Sequence, residues 1–231
     1  MKKLTILLLL LVVLSLTACN GRKNAETNTS SGEAQTSKSE AKISTGSHKV
    51  LVVYFSRVGN ADLPKNVDTV ASASLKVTKG GVQGNNEVVA KMIQKAVGGD
   101  LFLIQRADKL PADYSVIERQ GQEERDANMR PKLAKHVKNM GSYDVVILVY
   151  PNWWFDMPMA VYSFIDEYDL SGKTIVPFCT SGGSGFSNSI ETIGKLEPKA
   201  TILEGLEISQ DLPNNTEDDV NKRLSKIGFI K

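Results

Sequence analysis

From Lys49 to the end of the chain, short apolar runs alternate with stretches of helical periodicity. The first run, Val50-Leu51-Val52-Val53-Tyr54-Phe55, is apolar at every position, which predicts a strand covered on both faces, as in a parallel sheet. A helix is expected over Asn86–Val97, where Val88, Val89, Met92, Ile93, Ala96 and Val97 share one face and Gly98-Gly99 ends it. Leu101–Ile104 reads as a second strand, and a long polar, partly helical segment runs from Tyr114 to Met140. The third strand is Val145–Tyr150, followed by a helix from about Pro158 to Tyr168, with Pro158 suited to its first turn. Thr174–Cys179 is strand four, Asn188–Leu196 a weak helix, Thr201–Leu206 strand five and Glu217–Ile227 a closing helix. Five strands alternating with helices imply right-handed crossovers and an α/β, doubly wound parallel sheet with helices on both faces.

The beginning of the chain follows another pattern. Lys2 and Lys3 precede an apolar run from Ile6 to Leu14, the charged start and short core of an export signal. A membrane span needs roughly 20 apolar residues, and Ser15 and Thr17 interrupt this one well before that. Leu16-Thr17-Ala18-Cys19 then resembles a bacterial lipobox, whose cysteine carries lipid. Residues 1–18 are therefore expected to be a lipoprotein signal peptide and Cys19 the lipidated residue. Residues 19–47, built mostly from Ser, Thr, Asn, Gly, Glu, Lys, Gln and Ala, read as a disordered tether. Residues 48–231 form the folded domain. The expected location is outside the cytoplasm, lipid-anchored to the cell membrane or envelope.

Charge and cysteine content narrow the function classes. Removing Lys2 and Lys3 from 28 basic residues leaves 26 against 26 acidic ones, and a neutral chain lacks the basic excess of a nucleic-acid binder. With Cys19 given to lipid, Cys179 has no partner for an intramolecular disulfide, and no cysteine-rich metal site is expected.

In an open α/β sheet, ligands sit beyond the carboxyl ends of the strands where strand order reverses. The loops there are Ser56-Arg57-Val58-Gly59-Asn60 after strand one, Pro151-Asn152-Trp153-Trp154-Phe155-Asp156-Met157-Pro158 after strand three, and Thr180-Ser181-Gly182-Gly183-Ser184-Gly185-Phe186-Ser187 after strand four. Hydroxyls and backbone N–H groups in a turn leading to a helix suit an anion, which points to Ser56, Gly59 and Asn60. Adjacent tryptophans offer a flat apolar wall for an aromatic ring system. The Ser/Gly-rich loop from Ser181 to Gly185 lets backbone approach a polar edge closely. Together they describe a flat, phosphorylated heteroaromatic ligand.

At these residues the chain resembles the flavodoxin-like family, in particular a bacterial branch with a Tyr-Phe-Ser start and a Trp-Trp loop, over His48–Lys231. The resemblance implies a five-stranded sheet of order 2-1-3-4-5 and FMN as cofactor. It places phosphate on Ser56, Arg57, Val58, Gly59 and Asn60. The flavin ring falls to Pro151, Asn152, Trp153 and Trp154, and to Ser181, Gly182, Gly183, Ser184, Gly185 and Phe186. The chain departs from the family's Ser/Thr-x-Thr-Gly-Asn-Thr loop, because Val58 replaces threonine and Ala61 follows Asn60. An insertion, Ala61–Gln83, separates that loop from its helix, and a similar sequence, Gly84-Asn85-Asn86-Glu87, then recurs. The insertion is expected to be looped out, with Asn85 and Asn86 completing the phosphate site.

Other chemistries fit poorly. Gly172-Lys173-Thr174 lacks the P-loop's earlier glycine, since Glu167 stands there. Ser184 lacks the second glycine of a nucleophile elbow, Phe186 standing in its place. There is no Gly-x-Gly-x-x-Gly for a dinucleotide, and His136, among lysines, reads as a solvated helix residue. No side chain is assigned as a catalyst and no metal is expected, because a flavin would carry the chemistry. The expected function is electron transfer or flavin-dependent reduction, with a redox protein or a small acceptor such as a quinone as partner. The rival is a non-redox binding module on the same fold with weakened flavin binding. The oligomeric state is left open.

Overall fold

The computed structural model describes residues 42–43, 47–64, 75–78 and 80–230. The chain divides between Lys38 and Ser39 into two units, and every described residue lies in the second. The signal peptide, Cys19 and nearly all of the tether fall outside the described residues. Packing begins at Ile43, whose amide donates to the Ile227 carbonyl at 3.0 Å.

The elements, in chain order, are β1 (Val50–Tyr54), β2 (Leu75–Thr78), β3 (Gly81–Gly84), α1 (Asn85–Val97), β4 (Asp100–Leu103), α2 (Tyr114–Asp126), β5 (Val145–Pro151), α3 (Met159–Glu167), β6 (Thr174–Ser181), α4 (Ser189–Leu196), β7 (Thr201–Ile202), β8 (Leu206–Ser209) and α5 (Thr216–Lys226). The main sheet runs β4-β1-β5-β6-β7, with β8 also on β6, and all its pairings are parallel. Counting β7 and β8 as one broken fifth strand, this is the order 2-1-3-4-5.

Strand periodicity distributes the apolar runs between two cores. Val50, Val52 and Tyr54 join Val145, Ile147 and Val149 against Val89, Ala90 and Ile93 of α1 and Val220 and Leu224 of α5. Leu51, Val53, Val146, Leu148 and Tyr150 point the other way, against Ile117 of α2, Val161 and Phe164 of α3 and Ile193 of α4. Each such large apolar side chain contributes roughly 1.5–3 kcal/mol by leaving water. Continuous apolarity in β1 and β5 is thus the mark of a sheet buried on both faces.

Three expectations need correction. The insertion is not simply looped out: β2 and β3 form an antiparallel hairpin that runs directly into α1, and Ala61 is buried and bridges Val58 and Leu110. The hairpin register pairs Leu75 with Gly84, so the segment delivers α1 instead of merely bulging from it. Residues 65–74 and 79 lie outside the described residues. The fifth strand breaks between β7 and β8, because Pro177 brings no amide hydrogen to the sheet and Gly205 packs on its carbonyl. A side chain at 205 would begin 1.7 Å from that oxygen. Finally, α2 ends at Asp126, so His136 lies in no helix and its Nδ1 is 2.6 Å from Glu167 Oε1.

Candidate functional site

The carboxyl ends of β1, β5, β6 and β8 open into a cleft of about 350 Å³. It is lined by Arg57, Tyr114, Ile117, Glu118, Pro151, Asn152, Trp153, Trp154, Phe155, Thr180, Ser181, Ser184 and Gln210. All three predicted loops meet there, as the switch-point rule requires.

The loop after β1 is held from within. The Asn60 side-chain amide donates to the Ser56 and Ile104 carbonyls, and its oxygen accepts the Arg106 amide at 2.7 Å. Asn60 is therefore a brace under the loop and lies outside the cleft lining. Gly59 takes a φ of 90°, and a side chain there would meet Leu103. Val58 donates its amide to the Ser56 hydroxyl at 3.2 Å. Behind that hydroxyl stands Gly84, the residue before α1, so close that a Cβ on it would lie 1.8 Å from Ser56 Oγ. The hairpin thus brings the N-terminus of a 13-residue helix, with no side-chain cap, onto the loop after β1. Such an end presents unpaired N–H groups and a partial positive charge. Asn85 and Asn86 are buried there, but their side chains join loops: Asn85 donates to the Gln210 carbonyl, and Asn86 accepts from the Thr180 hydroxyl at 3.1 Å.

The loop after β5 is a tight turn. Trp153 and Asp156 exchange backbone bonds of 2.8 and 3.1 Å, and the two residues between them, Trp154 and Phe155, have φ of 55° and 65°. Two positive φ values across such a turn normally call for Asn-Gly or Gly-Gly. Here two aromatics occupy them, and α2 fastens the first. The Trp154 indole N–H donates to the Glu118 carbonyl at 2.9 Å, and Arg125 donates to the Trp154 carbonyl and lies 5.6 Å from its ring. Trp153 meets Phe55 edge-on at 5.6 Å. Phe155 is left 61% exposed at the tip. Replacing Phe155 with glycine is expected to raise stability by about 1 kcal/mol, because a left-handed β-carbon costs that much. Thermal unfolding measures it; a lowered midpoint would show that the ring's contacts outweigh the strain.

The loop after β6 is organised by Ser181. Its hydroxyl donates to Glu207 Oε1 at 2.7 Å and accepts the amides of Gly183 and Gly185 at 3.1 and 3.0 Å. Gly183 and Gly185 have φ of 110° and 61°, which suits residues without a β-carbon. Asn152 ties this loop to the Trp-Trp loop by donating to the Gly185 carbonyl at 2.8 Å. Gly182 packs on Gln210, and Phe186 packs on the core beside α3. Beneath the loop, burial, assisted by Glu207, pushes the Cys179 thiol up to about 12.

Of the predicted residues, Arg57, Pro151, Asn152, Trp153, Trp154, Ser181 and Ser184 line the cleft. Ser56, Val58, Gly59, Asn60, Asn85, Asn86, Gly182, Gly183, Gly185 and Phe186 are not in its lining, and belong to the loops and the helix start next to it. Sequence reasoning missed Tyr114, Ile117 and Glu118 from α2, along with Phe155, Thr180 and Gln210. Phe155 and Thr180 stood in loops already singled out, and Gln210 follows the broken fifth strand. Nothing in the sequence directs α2 to the cleft.

A family model described as flavodoxin matches residues 77–227. The structure resembles a candidate flavoprotein from Bacteroides eggerthii DSM 20697, at 30% identity over 78% of this chain and 98% of that one, with a TM-score of 0.59. Another, from Bacteroides uniformis ATCC 8492, is 25% identical over 78% and 99% with a TM-score of 0.57. A flavoprotein in complex with FMN from Lactobacillus acidophilus NCFM shares the fold at 14% identity, over 75% and 97%, with a TM-score of 0.52. Comparison with curated proteins finds no match. With most of its length matched by the family model and its sheet in the 2-1-3-4-5 order, the chain belongs to the flavodoxin family.

Proposed function

We propose that the chain binds FMN in this cleft and serves in electron transfer or as a flavin-dependent reductase. The observation that carries the reading is the junction at Gly84, which sets an uncapped helix N-terminus against Ser56, the residue before Arg57 in the wall of an aromatic-walled cleft. The residues present fit such a ligand. Ser56 and the first-turn amides of α1 would hold the phosphate. Trp153, Trp154 and Phe155 offer faces to a flat ring, and Ser181, Ser184 and Gln210 offer polar groups to its edge. Bound flavin would supply the electron or hydride transfer, and this chain's residues bind it, orient it and shield it from water.

Titration of FMN and riboflavin, followed by flavin fluorescence, tests the reading. FMN is expected to bind about tenfold or more tightly than riboflavin, since the phosphate adds charge-assisted bonds. Trp154→Ala is expected to weaken both by a similar factor. Equal affinities would remove the phosphate role from Ser56 and α1, and no binding of either would favour a non-redox binding module.

We infer further that the domain is held outside the cytoplasm by a lipid at Cys19, with a redox protein or a small acceptor such as a quinone as partner. Its support is the Leu16-Thr17-Ala18-Cys19 sequence after a short apolar run. Cys19→Ala is expected to release the protein from membranes; retention through a high-salt wash would point to another anchor.

A further inference from the structure

Burial sets one charge around the cleft apart from the rest. Arg57 is 1% exposed, lines the cleft, and donates from Nη2 to the Ala112 carbonyl at 2.8 Å. Three acidic groups around the cleft are solvated. Glu118 lines the cleft but is exposed. Asp113 is exposed too, and its carboxylate accepts from the Ser115 hydroxyl and the Val116 amide. Glu207, reached through Ser181, is likewise exposed on β8. Water and salt screen such carboxylates, whereas a buried charge keeps most of its field. Burial lowers the Arg57 pKa, and Tyr114 and Asp113 oppose that shift. Arginine titrates so far above neutrality that the guanidinium stays charged.

We propose that Arg57 sets the redox poise of the site: its buried cation favours the reduced, more negative state of a bound flavin, so that the site handles electrons in pairs. The inference rests on the FMN reading above. A ring system that takes up two electrons and one proton gains one negative charge. When the first electron enters together with the proton, that charge arrives with the second. A fixed positive charge in the cleft wall therefore assists the second electron more than the first. The two are then held and delivered together, as a reductase of small acceptors requires and a single-electron carrier does not.

The test compares the affinity of the full chain for oxidised FMN and for dithionite-reduced FMN under anaerobic conditions. The wild type is expected to bind the reduced form at least as tightly as the oxidised one. Arg57→Gln is expected to lower the ratio of reduced to oxidised affinity by about tenfold or more, a fall of about 30 mV in the two-electron midpoint potential. Arg57→Lys, which keeps the charge, should hold the ratio within about threefold. An unchanged ratio in Arg57→Gln overturns the proposal, including the case in which both affinities fall equally because Arg57 only grips the ligand. Should that variant fail to fold, the wild type alone still decides, since a clear preference for oxidised FMN overturns the proposal and the expected preference supports it. Failure of the wild type to bind FMN in either state has a different signature: it refutes the cofactor reading, and this inference with it.

Discussion

Replacing Glu124 with alanine is expected to destabilise the domain by about 3–5 kcal/mol, the usual cost of removing one partner from a buried ion pair. Glu124 and Arg106 are each 5% exposed and 2.8–2.9 Å apart. Burial acts to lower the Arg106 pKa, but its bonds to Glu124 and Asp108 more than offset this and hold it above its ordinary value. Without Glu124 the guanidinium would keep only Asp108, whose side chain is 58% exposed and screened by water. The site would feel the loss as well. The pair fastens α2 to the segment after β4, and α2 carries Tyr114, Ile117 and Glu118 to the cleft and pins Trp154. Urea unfolding followed by tryptophan fluorescence measures the effect. A cost below about 1 kcal/mol would mean that Arg106 is satisfied without Glu124.

Gly84→Ala is expected to weaken FMN binding about ten- to a hundredfold while riboflavin affinity changes much less. The backbone at Gly84, with φ of −78° and ψ of 137°, suits alanine, so the conformation itself exacts no penalty. The obstacle is space: the new Cβ would lie 1.8 Å from Ser56 Oγ and 3.0 Å from Ser56 Cβ. Ser56 is buried, so either its hydroxyl rotates away or the N-terminus of α1 retreats. Each outcome separates the hydroxyl from the first-turn amides. A hydrogen bond to a charged group contributes about 1.5–3 kcal/mol, which corresponds to the expected loss. Isothermal titration with both flavins checks it. A variant that binds FMN as the wild type does would show that phosphate is not held at this junction.

The strands and their order of helices were legible because burial on both faces leaves an unbroken apolar record, as in Val50–Tyr54 and Val145–Pro151. The hairpin was not. Its strands have four residues each, include Gly81 and Gly84, and carry Val77 exposed, so neither composition nor periodicity marked them. The break between β7 and β8 leaves no mark in the sequence of residues 201–209, because it depends on Pro177 of the neighbouring strand, a cross-strand neighbour that sequence spacing does not reveal.

Which three loops gather at the switch point follows from the order of apolar runs along the chain, because strand order and chain direction bring them there. What each side chain touches within them depends on folded neighbours that lie far away along the chain. Asn60, Asn85 and Asn86 read alike as residues of an anion site, and the structure shows their side chains hydrogen-bonded to neighbouring loops, since buried amides must find partners. Arg57 reads as part of the phosphate loop after the first strand, and its weight comes from burial against a segment 55 residues further along, where the Ala112 carbonyl just ahead of α2 accepts from its Nη2. Spacing along the chain determines which groups are available, and the strength of a charge depends on how much water the fold removes from around it.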